Sequence, residues 1–492
     1  MAAKNNRFFF RHLRKWVAES HPVAASSDHS GHRKNRPTLL RLLFLLSLAL
    51  SFLVLYSSSI LCPFFSPSRA EEARQRKTMA NPCSSVPNNS ICCDRAAFRT
   101  DVCFLRGDVR SHSPSSSLFL ASAIAGEQSI RPYPRKWETS VMSMVAELRL
   151  HAGGVYPNPT CDVVYSAPAV VFSTGGYTGN VFHDFNDGII PLYLTAHHYN
   201  REVVFLILDY HKWWFSKYSE LLSRLSRFPP INFSNDSRTH CFTSATVGLR
   251  IHDDLAIDPA QSPLNNSIRG FRQLLDDAYG PRIRWLDRLE AQSPAPPIHL
   301  GEANKPRLAM LLRNGSRALE NEGDVVTMAE EMGFVVEVLR PEKTTELMSI
   351  YRILNGSEVM LGVHGAAMTH FLFMRPGAVI LQIVPIGTEW AAETFYGSPA
   401  RKMGMRYVRY RISPEESSLC REYGRDHPVV REPKRINARG WEETKRIYLD
   451  WQSVRLDLRR FRRTMERVRR VLDGSRRRRR RPEEDKEEDD QM

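Results

Sequence analysis

Between Arg307 and Pro385 the chain alternates between short apolar blocks and amphipathic ones, and few folds absorb that rhythm. "RLAMLLR" (307–313) reads as a buried strand, "NEGDVVTMAEEMG" (321–333) as a helix closed by Gly333, and "FVVEVL" as the next strand. "TTELMSIYRILNG" is again a helix closed by glycine, followed by "SEVMLGV" as a strand, "AAMTHFLFM" as a helix and "AVILQIVP" as a strand. Strands and helices in strict alternation predict a parallel sheet wound on both faces by helices.

The same signal occurs earlier. "APAVVFSTGG" (167–176) reads as a strand, the apolar stretch to Ala196 as a helix and "REVVFLILDY" as a second strand. A polar, proline-bearing stretch, "AQSPAPPIHLGEANKP" (291–306), reads as a linker. The expected fold class is α/β, with two doubly wound domains, 91–290 and 307–450, facing a cleft. Ligands of such sheets bind beyond the carboxyl ends of the strands.

The ends differ from this body. Residues 42–65, "LLFLLSLALSFLVLYSSSILCPFF", carry no charge over more than the roughly 20 residues that span a bilayer as a helix. A cleaved signal peptide would have a shorter apolar region after a brief basic start, so a retained signal-anchor is expected. The basic tail, 1–41, precedes it and stays cytosolic by the positive-inside rule, which places the polar stem, 66–90, and all that follows in the lumen. Residues 1–41 carry a net +7, 455–481 carry +11 and 482–492 carry −6; the formal +15 of the chain leaves +3 for the body. A nucleic-acid footprint is not indicated.

Asn-X-Ser/Thr glycosylation candidates occur at Asn88, Asn232, Asn235, Asn265, Asn314 and Asn355, all after the span. Seven of the eight cysteines also follow it, with no zinc-like spacing. In an oxidising lumen disulfides are expected, with at least one thiol left over and a local bridge among Cys83, Cys92, Cys93 and Cys103. Near the C-terminus Trp451, Val454, Leu458, Phe461, Met465, Val468 and Leu472 alternate spacings of three and four, giving an amphipathic helix over 451–474 that docks on the body. The charged tail, 475–492, is expected to be disordered.

Two stretches carry chemistry. In "LGVHGAAMTHFLFMRPG" a strand ends at Val363 and His364, Gly365 and Ala366 lead at once into a helix, whose free backbone N–H groups and positive dipole end suit a phosphate. Arg313, Arg317 and Asn321, spaced by four after the first strand of the same domain, can clamp a diphosphate from the facing side. In "TGNVFHDFNDG" His183 and Asp187 share a helix face with Asn180, while Asp184 points a quarter-turn away; a histidine oriented by a carboxylate is a usable general base. Asn180 and Asp184 are assigned to the acceptor side of the cleft. No GxGxxG, GxxxxGK[ST] or GxSxG motif accompanies these stretches.

At these residues the sequence resembles the plant members of glycosyltransferase family 61. The resemblance runs through "CDRAAFRTDVCFLRGDVR", "PAVVFSTGGYTGNVFHDFNDGIIPLYLTA", "THCFTSATVGLRIHDDL", the Arg313–Arg317–Asn321 segment and "GVHGAAMTHFLFMRPGAVILQIVPIG", covering roughly 90–420. It implies single-pass type II Golgi membrane enzymes with two Rossmann-like domains in the GT-B arrangement. Such enzymes transfer a sugar from a UDP donor with inversion, without metal or other cofactor, and grass members similar to this chain decorate xylan with arabinofuranose or xylose. No Asp-X-Asp occurs between 66 and 454. After His-Gly-Ala the family commonly has Gly-Leu-Thr-Asn, where this chain has Ala367-Met368-Thr369-His370. That departure, together with the arginine-rich C-terminal helix, motivates a second reading, an inactive binding subunit of a Golgi synthase complex.

Overall fold

Among the described residues fifteen strands divide into a sheet of ten and a sheet of five. The structure, a computed structural model, describes Cys83 and residues 86–153, 159–262, 266–292 and 305–489. The predicted cytosolic tail and membrane span lie outside these residues, as do most of the stem and linker. No helix among the described residues is long and apolar enough to cross a membrane.

The smaller sheet contains β11 (Arg307–Leu311), β12 (Val335–Leu339), β13 (Val359–Val363), β14 (Val379–Val384) and β15 (Arg406–Arg411). All pairings are parallel, in the order β12-β11-β13-β14-β15. The doubly wound topology expected from the sequence is therefore present, with its switch point between β11 and β13, where the chain leaves the sheet in opposite directions. The edge strand β15, "RYVRYR", escapes sequence reading because its arginines alternate outward into solvent, as charged residues on a protected edge do.

The larger sheet contains β1 (Ser90–Asp94), β2 (Val102–His112), β3 (Ser117–Leu120), β4 (Gly126–Ile130), β5 (Leu148–Ala152), β6 (Val163–Val164), β7 (Ala169–Ser173), β8 (Val204–Leu208), β9 (Ile231–Asn232) and β10 (His240–Val247). Its order is β4-β5-β3-β2-β10-β7-β8-β9, with β1 on β2 and β6 on β10. The expectation of a doubly wound domain fails here for the N-terminal half. Neighbours from β10 to β9 are parallel, but β2 runs antiparallel to β1, β3 and β10, and β4 runs antiparallel to β5. The cause lies in the side chains: β7 and β8 are apolar on both faces and need cover on both, whereas β2 alternates buried with solvated residues, as one-sided antiparallel strands do.

Five helices of ten residues or more are described: α1 (Lys212–Leu225), α2 (Ile268–Ala291), α3 (Glu322–Glu331), α4 (Leu347–Gly356) and α5 (Leu458–Asp489). One apolar core joins the two sheets: Val170, Phe172, Phe205 and Ile207 from the larger, Ala309, Leu311, Met360 and Ile380 from the smaller, and the buried faces of α1, α2 and α4 between them. Arg272 bolts α2 to the smaller sheet's side, donating to the carbonyls of Phe373 and Met374, to Tyr351 Oη and to Asn355 Oδ1. A buried guanidinium with every bond satisfied holds one geometry.

On the opposite face Leu308, Met310, Leu361 and Leu381 meet Val325 and Met328 of α3 and Phe461, Met465, Val468 and Leu472 of α5. The expected docking of the C-terminal helix is thus present, with two differences. The helix begins at Leu458: Val454 is buried in an isolated bridge with Leu319, and Trp451 is 66% exposed. It also continues through Gly474 to Asp489, since one glycine costs a helix only about 1 kcal/mol and the arginines and glutamates around it are good helix formers. Disulfides join Cys93 to Cys103, across the β1–β2 pair, and Cys161 to Cys241, while Cys420 is free.

Phe461 is fully buried with Tyr410 packed edge-on at 5.0 Å. Phe461→Ala is expected to lower unfolding free energy by about 3–5 kcal/mol, read as a drop in the denaturant midpoint at unchanged slope.

Candidate active site

The segment "STGGYTGNVFHDFNDG" leaves β7 through a turn that only small residues permit. Gly176 has φ 63°, and a Cβ on it would lie 2.8 Å from the Tyr133 ring. Asn180 then caps the helix, its Oδ1 accepting from the Phe182 amide at 3.0 Å. Only Val181–His183 is α-helical; Asp184–Ile189 is a π-helix, and Ile190–Ala196 returns to α. Pro191 follows the wide turn and has no amide to offer the Asp187 carbonyl, so the ladder widens where an ordinary α-helix would have lost a bond.

This geometry brings His183 and Asp187 together: Nδ1 of the ring lies 2.7 Å from Asp187 Oδ2. Asp187 is fully enclosed, and its Oδ2 also accepts from Arg135 Nε at 2.9 Å and Tyr133 Oη at 3.3 Å, while Oδ1 accepts from Asn186 Nδ2 at 2.7 Å. Burial pushes the Asp187 carboxyl up, but the Arg135 charge and the His183 bond outweigh it and hold the group below the usual carboxylate range. An ionised Asp187 requires Nδ1 to carry the proton. Arg135 Nη2, 3.0 Å from the same Nδ1, can only donate, so it contributes charge there and not a second hydrogen bond. Nε2 is left with its lone pair and no partner among the described residues. Tyr177 stacks on the ring at 4.3 Å and donates to Glu138, which itself pairs with Arg135 at 2.8 Å.

A second centre lies at the switch point of the smaller sheet. His364 follows β13, its ring buried; Tyr407 Oη donates to Gln382 Oε1 at 2.7 Å, which turns Gln382 Nε2 toward His364 Nδ1 at 3.0 Å. That chain fixes Nδ1 as the acceptor and leaves Nε2–H to donate. Burial, and then Arg317 and Arg313, push the His364 ring down to about 3, so it is a neutral donor. Both guanidiniums lie against Gly365: a Cβ there would be 3.0 Å from Arg313 Nη1 and 3.5 Å from Arg317 Nη2. Neither forms an ion pair among the described residues, and Nε of each is buried without a partner. Burial, then the neighbouring Arg313, brings Arg317 down to about 10. Behind Gly365 a 3-10 helix, Ala366–Phe373, opens with amides that have no intrahelical acceptor.

Aromatic rings connect the centres. Phe182, beside His183, packs 5.2 Å from Phe395 and 6.4 Å from Tyr396, and Tyr396 lies 5.5 Å from the His364 ring while donating to Gly365 O at 2.8 Å.

Three of the expected site residues take other positions. Asn321 does not face the arginines: its amide is consumed by Leu456, donating to O and accepting from N at 3.0 Å each. Asp184 turns into the protein, accepting from the Gly179 amide at 3.0 Å and Tyr218 Oη at 2.9 Å, with burial raising its carboxyl. Asn180 serves as the cap described above. His370 is buried, its Nδ1 bonded to Ala367 O at 2.8 Å, and no bond joins it to His364, Arg313 or Arg317 among the described residues. Of the glycosylation candidates Asn88, Asn235 and Asn314 are exposed, Asn232 and Asn355 half-buried, and Asn265 lies outside the described residues. Sequence reasoning missed Arg135, Glu138 and Tyr177, which belong to no local pattern. It also missed Gln382, whose amide inside an apolar strand was a signal, because a buried amide must find partners.

Arg135→Ala leaves Asp187 charged and enclosed without its guanidinium partner, held only by His183, Tyr133 and Asn186. It is expected to destabilise the fold by about 3–5 kcal/mol, with part of the loss recovered in Arg135→Ala/Asp187→Asn, measured by chemical denaturation. An unfolded histidine titrates near 6.5, whereas folded His364 does so near 3, so between these values the unfolded chain binds a proton that the folded chain refuses. Stability of the unliganded protein should therefore fall as pH drops from 6.5, and fall less steeply in His364→Gln, checked by denaturation across that range.

The family model for Glycosyltransferase 61 matches residues 196–381. A xylan glycosyltransferase of Arabidopsis thaliana is 47% identical over 453 residues, covering 88% of this chain and 91% of that protein. A beta-1,2-xylosyltransferase of Oryza sativa subsp. japonica is 35% identical over 449 residues, covering 85% and 94%. An alpha-1,3-arabinosyltransferase of the same rice is 38% identical over 375 residues, covering 75% of this chain and 63% of that protein. Identity of this extent over chains of comparable length, around two unpaired guanidiniums suited to a diphosphate, makes this chain a glycosyltransferase and a member of glycosyltransferase family 61.

Proposed function

We propose that the chain transfers a pentose, arabinofuranose before xylose, from a UDP-sugar to xylan, with inversion at the anomeric carbon. The observation that carries this reading is the pair of arginines lying against Gly365 with no carboxylate between them. Two adjacent like charges, one buried and one half-buried, are unfavourable without an anion, and a nucleoside diphosphate supplies one in the geometry guanidinium groups recognise. The relatives act as xylan glycosyl-, xylosyl- and arabinosyltransferases by their names, which supports the acceptor and the pentose class.

In the reaction His183 Nε2 takes the proton of an acceptor hydroxyl while Asp187 holds the ring and balances the imidazolium that forms. The freed oxygen bonds to the anomeric carbon as that carbon's bond to the diphosphate breaks. The proton stays on His183 and the charge leaves with UDP, met by Arg313, Arg317, the His364 N–H and the amides of Ala366 and Ala367. These fixed donors take the place that a divalent cation holds in other transferases. The doubly wound sheet of five, with His364 at its switch point, supports a GT-B arrangement. A type II Golgi membrane location belongs to the same reading, supported by the uncharged run at 42–65 and by the disulfides Cys93–Cys103 and Cys161–Cys241. For the alternative, an inactive binding subunit, the His370 departure gives little support, because His370 is hydrogen-bonded to Ala367 O and not to the arginines; the arginine-rich C-terminal helix is its remaining motive.

Assayed with UDP-arabinofuranose and UDP-xylose on xylo-oligosaccharides, the enzyme should transfer pentose without added metal and in the presence of chelator. His183→Ala is expected to lower kcat about 10²–10⁴-fold, and Arg317→Ala on the order of 10²-fold. Near-normal turnover of His183→Ala would remove it from the base role, and failure of every UDP-pentose would refute the proposal.

A further inference from the structure

A hollow of about 480 Å³ lies beyond the carboxyl ends of β7, β8 and β9, three neighbouring parallel strands. That volume falls within the range of about 300–1,000 Å³ common to ligand sites. Thr174, Gly175, Asp209, His211, Asn232 and Ser234 line it.

Its chemistry differs from that of the diphosphate centre. Asp209 has φ 50°, a left-handed conformation costing a non-glycine residue about 1–3 kcal/mol unless its surroundings dictate it. Here they do. Oδ2 accepts from Ser173 Oγ at 2.6 Å and from the Ala146 amide at 3.0 Å, and the Asp209 carbonyl accepts from Thr174 Oγ1 at 2.7 Å. Oδ1 keeps no partner among the described residues. Asn232 Oδ1 is buried and also unpartnered. Two acceptors are therefore left wanting donors, and no lysine or arginine lines the hollow to balance a phosphate. A neutral ligand that brings many hydroxyl donors matches this lining.

Position completes the argument. Gly175 and Gly176 line the hollow, while Tyr177, the next residue of the same turn, stacks on His183. A polymer whose hydroxyl meets His183 has the hollow just across that turn. We propose that the hollow is an acceptor subsite holding the neutral pentopyranose units that flank the unit being substituted. The proposal rests on xylan as acceptor, and its test separates the two.

Met144→Trp and His211→Trp each place a large ring in the hollow from an exposed position on its rim. The full-length enzyme, treated with endoglycosidase, is assayed for transfer to xylobiose and xylohexaose, and xylohexaose binding is followed by saturation-transfer NMR. Both variants should lose at least tenfold more kcat/KM on xylohexaose than on xylobiose, and should bind xylohexaose at least tenfold more weakly. Equal losses on the two acceptors, or unaltered xylohexaose binding, overturn the subsite and leave the transfer reaction standing. Weakened binding in variants of an enzyme that turns over no UDP-pentose supports the subsite and removes the transfer.

Discussion

Repulsion between half-buried Arg313 and buried Arg317, side by side on Gly365, is the constraint around which the rest of the site is arranged. Each neighbouring choice keeps further charge out of the same space. His364 stays neutral because its ring is buried and, after that, because protonation would add a third cation, and the Tyr407–Gln382 relay secures that neutral form by offering its Nδ1 a donor. The closest bonded partners of the two arginines are neutral as well: Arg313 reaches only Ser316 Oγ, and Arg317 is fixed through its backbone to the Gln452 carbonyl. A site built in this way holds electrostatic potential in reserve, which is how preorganised dipoles and charges lower a barrier when negative charge develops on a leaving group.

The other centre follows the opposite logic. Asp187 is surrounded by donors, and its charge is balanced before any substrate arrives, by Arg135 above all. The His183 ring bonded to Asp187 is thereby fixed in tautomer and orientation. One sheet thus supplies a compensated pair that can pass a proton, and the other an uncompensated pair that can receive an anion. Phe182 and Tyr396 place the two within one apolar junction, where the lower dielectric strengthens both.

Sequence made the second sheet legible because its strands are buried on both faces and its helices end in glycine, so periodicity and punctuation agreed. It made Arg313, Arg317, His364, His183 and Asp187 legible because each lies at a strand end or on one helical turn, where spacing is geometry. It misjudged Asn321 because a residue in phase with two functional arginines is indistinguishable in spacing from a third ligand, while its actual partner, Leu456, is 135 residues away. Arg135 was invisible for the same reason, 52 residues from Asp187 in no repeating pattern. The N-terminal strands were unread because antiparallel pairing depends on which segments meet, and register across a sheet leaves little trace in any one strand.

The clasp between the arginine loop and the C-terminal segment sets an order of events. Arg317 sits in the left-handed region at φ 55°, its amide donating to the Gln452 carbonyl, while the Glu320 amide donates to Val454 O and the Val454 amide to Ala318 O. At about 5–20 residues per second, a ribosome completes that stretch on the order of ten seconds after the arginines have emerged. A nascent chain therefore passes most of its synthesis with the arginine loop unclasped, and closes it only when the segment from Gln452 to Val454 has emerged and docked.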